Sequence, residues 1–230
     1  FARSRMKNTH PSLTWREDKI PVSTQFDDPY YSLDNGLAET RHVFLDGNNL
    51  PVRFVDGLQI AELGFGTGLN FIATLDQWRK NNIKGKFHFT SFEAYPMTPA
   101  DMEKAYEQFP DIHHIAAEIV PQLEQLRDTG NLSLPDAHLH LIKGDARETV
   151  SHWNGQADCW YLDGFSPAKN PELWERNLMN AVYEKTRSGG TAATYTAAGF
   201  VRRNLMEAGF DVERVKGFGR KRHMSVARKA

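Results

Sequence analysis

The chain has one cysteine, Cys159, among its 230 residues, so no intramolecular disulfide can form. That cysteine lies in the apolar run ADCWYLD and reads as a small buried residue rather than a reactive one. An excess of one charge is also missing: 28 Lys and Arg stand against 29 Asp and Glu. The molecule is therefore no polycation, and any contact with nucleic acid must come from a local patch. No window approaches the roughly 18 apolar residues of a membrane span, and the N-terminus carries no apolar signal core. A cytoplasmic protein with no membrane contact is the expectation. Nine histidines are present, but none falls in a ligand spacing with the cysteine; His138 and His140 share a strand face only as a pair. No metal site is expected. Repeats and low-complexity linkers are absent, and FARSR, residues 1–5, reads as a tag remnant.

What the sequence does have is alternation. Residues 6–58 are rich in turn signals (DDPYY, LDNG, LDGNNLP, VDG) around short strand-like or helix-like runs. They read as a strand-containing extension too poor in apolar residues to fold alone, packed on a main domain of residues 59–230. There, LQIAEL, KFHFTSFEA, AHLHLIKGDA, ADCWYLDGF and GGTAATYT read as strands, the last beginning after a two-glycine turn. Helical stretches separate them, one opening on Thr98 as N-cap, one interrupted by Pro121, one closed by Gly209. FDVERVKGF and RHMSVARK read as an antiparallel pair. Strand and helix alternating at this spacing imply an α/β fold with a doubly wound, mostly parallel sheet.

The stretch AELGFGTGLNF places Gly64, Gly66 and Gly68 at alternate positions between a strand and a helix, a natural cradle for a polar group. A phosphate loop needs a lysine after its last glycine, and none follows. A dinucleotide fingerprint needs its third glycine where Leu69 stands. Glu62, two residues before the first glycine, suits a cation better than a pyrophosphate. The run resembles motif I of class I S-adenosyl-L-methionine methyltransferases. Glu93 and Asp145 follow the second and third strands, where acids can meet a ribose and an adenine. Asp163 follows the fourth, in LDGFSP, and could orient an acceptor N–H while Phe165 walls the site or stacks on a base.

Taken together, FDDPYYSLDNGLAETRHVFLDGNNLP, ELGFGTGLNF, SFEAYP, GDAR, YLDGFSPAKNPELW and GFGRKRHM resemble the methyltransferase domain of the MnmC family, over residues 20–229. That resemblance implies a Rossmann-like class I methyltransferase fold. It also implies N-methylation of 5-aminomethyl-2-thiouridine at the tRNA wobble position, with S-adenosyl-L-methionine as methyl donor. Carried over by position, Glu62, Gly64, Gly66, Gly68 and Asn70 would hold the methionine part. Glu93 would take the ribose, Asp145 and Ala146 the adenine, and Asp163 with Phe165 the acceptor amine, with Asp163 also touching the donor. Tyr30, Tyr31 and Asn35 would close over the pocket.

Seven Lys and Arg fall in the last 20 residues against Asp211 and Glu213. Lys221 and Arg222 among them, extended by Arg202 and Arg203, would track the phosphates of an anticodon stem-loop. Members of the family often continue into a FAD-dependent oxidoreductase domain. No second glycine fingerprint is present here, so no FAD is expected, and the chain reads as an excised domain or a stand-alone methyltransferase beside a separate oxidoreductase. A small-molecule amine methyltransferase, an aminopropyltransferase and a donor-binding protein without turnover remain open.

Overall fold

The computed structural model describes residues 10–32 and 35–230. The remnant at residues 1–5 and two residues of YYSLDNG, Leu33 and Asp34, lie outside the described residues.

The chain starts with three short strands, β1 (Leu13–Arg16), β2 (Ile20–Ser23) and β3 (Asp28–Pro29), in a small antiparallel sheet. Helix α1 (Gly36–Thr40) follows, capped by the Asn35 side chain, and continues into a wide turn over Arg41–Leu45. The alternating part runs β4 (Gln59–Leu63), α2 (Leu69–Lys80), β5 (Phe87–Glu93), α3 (Pro99–Tyr106), α4 (His113–Ile119), α5 (Leu123–Thr129), β6 (Asn131–Ser133), β7 (Ala137–Lys143), α6 (Ala146–His152), β8 (Ala157–Leu162), α7 (Arg176–Glu184), β9 (Thr186–Thr194) and α8 (Gly199–Ala208). Strands β10 (Asp211–Lys216) and β11 (His223–Arg228) close it.

The large sheet has the order β10-β11-β9-β8-β4-β5-β7-β6. Its five central strands are parallel; β6 and β11 run antiparallel to them, and β10 pairs antiparallel with β11 at the edge. Both faces are covered, which is why the inner strands are apolar on both sides. On one face Ile60, Phe87, Phe89 and Leu139 meet Phe71, Leu75 and Trp78 of α2. On the other, Leu63, Trp160 and Leu162 meet Leu178, Val182 and Leu205 of α7 and α8. Leu37, Phe44 and Phe54 of the N-terminal segment join the first of these cores.

Thr98 caps α3 by accepting from Asp101 N, and Gly209 ends α8 at φ +118°, as their residue types imply. At Pro121 the helix stops and restarts through a single tight turn between α4 and α5. Two details differ from the pattern. The glycine pair Gly189–Gly190 lies inside β9 rather than ahead of it. There the amide of Gly189 donates to Lys229 O while Gly190 O accepts from Lys229, and the register to β8 shifts. Strand β6, three residues long, is too short to leave a period-2 signal, and its pairing with β7 creates it.

Candidate functional site

The carboxyl ends of β4, β5, β7, β8 and β9 open into one cavity of about 1050 Å³, room for a nucleoside-sized ligand with a second group beside it. Its floor is the glycine loop between β4 and α2. Gly64, Gly66 and Gly68 have φ of +77°, +54° and +81°, so each needs a residue without a Cβ penalty. The chain itself also uses the bareness. A Cβ on Gly64 would lie 3.0 Å from Gly164 Cα, and one on Gly66 would lie 3.1 Å from the Tyr30 ring. Gly68 does not line the cavity; it is the turn that admits α2 beneath Phe65 and Tyr106.

Glu62 also lies outside the lining. It is fully buried under the floor, where its carboxylate accepts from Ser91 Oγ at 2.6 Å and from Asn70 Nδ2 at 2.7 Å. Burial pushes its pKa well above the usual carboxylate range, against the two hydrogen bonds. The same Asn70 nitrogen donates to Asp163 Oδ2 at 2.8 Å, and Asn70 Oδ1 accepts from Thr40 Oγ1 at 3.0 Å. Asp163 faces the cavity, its other oxygen accepting from the Gly164 amide. Desolvation raises its pKa to about 7, opposed by those two hydrogen bonds; the nearby charge of Glu39 raises it and that of Lys221 lowers it. The acid that the cavity presents at this point is thus Asp163, with Glu62 bracing it from below through Asn70.

Glu93, at the end of β5, lines the cavity and accepts from the amides of Gly66 and Tyr95. Burial raises its pKa in spite of these bonds. Asp145 and Ala146 line the far end. Asp145 caps α6 by accepting from Arg147 N, and its carboxylate also takes a forked contact from the Arg147 guanidinium, the nearest at 2.6 Å. Arg147 holds the Asp145 pKa below its ordinary value.

Phe165 lines the opposite wall. Phe26, from the loop between β2 and β3, stacks on it at 4.9 Å, and Tyr30 meets it edge-on at the same separation. Asp28 accepts from the Ser166 amide at 2.8 Å, and Lys169 donates to Asp27, so the small sheet straps this loop in place. Tyr31 lines the cavity too, its hydroxyl turned to Lys19 O and its ring edge-on to Phe109. Asn35 does not line it and serves as the α1 cap. Phe26, Glu39 and Tyr195 escaped the sequence reading. All three had a signal: Phe26 and Glu39 lie in the quoted run FDDPYYSLDNGLAETRHVFLDGNNLP, and Tyr195 directly follows β9, the strand read from GGTAATYT.

The basic cluster divides. The tip of the β10–β11 hairpin reaches the cavity mouth, because β11 runs antiparallel to β9 and starts at its carboxyl end. Arg220 and Arg222 are exposed there, with Arg214 and Lys216 exposed on β10. Lys221 instead lines the cavity, donating to Glu39 Oε1 at 2.6 Å. Lys229 is at the hairpin's other end, bonded to the carbonyls of Tyr183 and Thr186. Arg202 donates to Ala197 O in the first turn of α8.

Among the described residues, six carboxylates line the cavity (Asp28, Glu39, Glu93, Asp145, Asp163, Glu172) against two fixed cations, Arg147 and Lys221. Each of those cations is already paired with one of the acids. Such a lining favours a ligand that carries positive charge. Among the described residues no group of three metal-binding side chains converges, and no helix is long and apolar enough to cross a membrane.

A family model described as S-adenosyl-L-methionine-dependent methyltransferase matches residues 107–230. Among solved structures, MnmC2 from Aquifex aeolicus superposes with a TM-score of 0.73 at 26% identity, over 96% of this chain and 71% of that one. Precorrin-6y C5,15-methyltransferase from Geobacter metallireducens superposes at 0.49 with 15% identity, over 86% and 90% of the two chains. The S-adenosylmethionine-bound amino pentose methyltransferase CalS10 from Micromonospora echinaspora does so at 0.43 with 13% identity, over 84% and 88%.

Proposed function

This chain belongs to the S-adenosyl-L-methionine-dependent methyltransferase family, and from that premise we propose that it N-methylates the primary amine of 5-aminomethyl-2-thiouridine at the tRNA wobble position. The observation that carries the reading is the cavity lining: an acid-rich, aromatic-walled site with a single reacting-edge carboxylate, Asp163, and a basic hairpin at its mouth. The likeness to MnmC2 over almost the whole chain supports it, as do the motifs shared with that family.

The residues present fit the donor. Bound there, it supplies a methyl group on a sulfonium, an already activated leaving group. Gly64 and Gly66 leave the floor open to its methionine part. Asp163 and Asn70 would hold the ammonium side, Glu93 the ribose hydroxyls, and Asp145 with Ala146 the adenine. Release of the Asp145 carboxylate from Arg147, an exposed contact within one helix cap, is what adenine docking asks of the chain.

On the acceptor side Asp163 accepts a hydrogen bond from the amine N–H and aims the nitrogen lone pair at the methyl. A carboxylate beside an amine strengthens its hold on a proton, so the task of Asp163 is orientation of the neutral amine rather than its deprotonation. Phe26, Tyr30 and Phe165 form the wall on which the wobble base stacks. Arg220, Arg222 and the β10 cations follow the phosphates outside. An oxidoreductase, fused or separate, that removes a carboxymethyl group would supply the amine, and the cytoplasm is where such a tRNA is found.

The test is methyl transfer to tRNA from cells that lack the modification, followed by nucleoside analysis. The expected product is 5-methylaminomethyl-2-thiouridine. Absence of that nucleoside from a preparation that binds the donor would overturn the acceptor assignment.

A further inference from the structure

Lys221 is the one cation of the basic hairpin that turns into the cavity. Its ammonium donates to Glu39 Oε1 at 2.6 Å and lies 5.1 Å from the centre of the Tyr195 ring. Glu39 is largely buried, 13% exposed in its side chain, while Lys221 is 52% exposed. Tyr195 is held in place by its hydroxyl, which donates to Gly164 O at 2.8 Å, the residue next to Asp163. The position thus has a carboxylate on one side and an aromatic face on the other, the two groups that together bind an alkylammonium. Its surroundings are acidic: Asp163, Asp28 and Glu39 all act on the Tyr195 hydroxyl. Glu39, Tyr195, Lys221 and Asp163 line the same cavity, and Tyr195 ties this position to the residue after Asp163.

We propose that Glu39 and Tyr195 form the site that the acceptor's primary ammonium meets on entry, before it loses its proton to solvent and turns to Asp163 as the neutral amine, and that the Lys221 ammonium occupies this site until the substrate displaces it. The inference rests on the acceptor named above, a nucleoside bearing an aminomethyl group. Lys221 has the same terminal group, a primary ammonium on a methylene, and its contact is that of an internal stand-in. Entry of the substrate exchanges one ammonium–carboxylate pair for another, and the displaced lysine moves outward into water. Glu39 thereby gives selectivity for an aminomethyl uridine over one without the amine, because an unmodified base leaves Lys221 in place.

The experiment measures binding of two anticodon stem-loop RNAs to the full chain. They are identical except that one has 5-aminomethyl-2-thiouridine at the wobble position and the other 2-thiouridine. Wild type binds the aminomethyl RNA more tightly. In Glu39→Gln the preference falls by about tenfold, the scale of a hydrogen bond to a charged group. In Lys221→Met it rises about two- to fivefold, the scale of releasing a partly exposed ion pair. Donor binding and thermal melting of each variant establish that it is folded. An unchanged preference in a folded Glu39→Gln overturns the assignment. So does a Lys221→Met chain that binds both RNAs more weakly by the same factor, which would make Lys221 a phosphate contact. If wild type does not methylate the aminomethyl RNA, the acceptor itself is wrong and both readings fall; methylation with an unchanged Glu39→Gln preference removes this one alone.

Discussion

The Asn70 side-chain nitrogen lies 2.8 Å from Asp163 Oδ2 and 2.7 Å from Glu62 Oε2, so a single amide holds two carboxylates that would otherwise repel. Asn70 is the second residue of α2, and Asp163 follows β8, 93 positions later. The hydrogen bond fixes the direction of Asp163 and also restrains its pKa, which burial has raised to about 7. Asn70→Ala removes that restraint, and the acid limb of the pH profile of kcat/KM moves to higher pH. A shift from about 7 to about 8 lowers activity at pH 7 about fivefold, since each pH unit changes the ionised fraction up to tenfold. A pH–rate profile of the two proteins checks this; a limb left in place would show that Asp163 does not titrate in the active complex.

Asp163 itself links stability to pH. Its carboxyl titrates near 7 in the folded chain against 3.8 for the ordinary side chain. The folded state therefore binds the proton more tightly than the unfolded state. The stabilisation from that proton is complete below about pH 4 and is lost as pH rises through 7. Asp163→Asn should thus melt higher than wild type at pH 8 by an amount on the order of 1–2 kcal/mol, as for other strained site residues relieved by substitution. At pH 4 the difference should vanish. The same variant weakens donor binding by about tenfold, the scale of one hydrogen bond to a charged group, and loses at least about a hundredfold in turnover, the scale of a misplaced reacting pair. Melting curves at the two pH values, with calorimetric titration of the donor, separate these effects.

Phe26 tests the aromatic wall. It belongs to the small N-terminal sheet, yet its ring stacks on Phe165 at 4.9 Å. Phe26→Ala leaves every donor-side contact in place. The expected result is a KM for tRNA raised about tenfold, within the range for one base–aromatic stack, with an unchanged donor Kd. A KM equal to that of wild type would take Phe26 out of the substrate site.

At the hairpin tip, Arg220→Glu with Arg222→Glu should weaken tRNA binding and reduce its salt dependence. Each lost phosphate contact lowers the slope of log K against log salt by about 0.7, so the double variant should lose about 1.4. Filter binding across a salt series measures the slope directly. Both residues are exposed, so folding should not change.

The local signals in the sequence were strong where the physics is local. Short apolar runs fix strands buried on both faces, Thr98 and Gly209 fix helix ends, and three alternate glycines fix a left-handed loop between β4 and α2. Because the sheet is parallel, the residues just after each strand meet at one edge, so Glu93, Asp145 and Asp163 could be placed together from spacing alone. The family resemblance was legible for the same reason: its motifs are those strand ends.

Which way each side chain points was decided only by packing. Glu62 and Asp163 both follow from strand positions, but β4 register puts Glu62 under the floor against Ser91, while Asp163, one residue beyond β8, stays in the cavity. In GFGRKRH the sequence shows a run of cations; only the antiparallel pairing of β11 with β9 turns Lys221 inward to Glu39, 182 positions away. The strap from Asp28 to Ser166 spans 138 positions and brings Phe26 to the wall. Composition and spacing act over a few residues, whereas these contacts join segments whose proximity exists only once the sheet has formed.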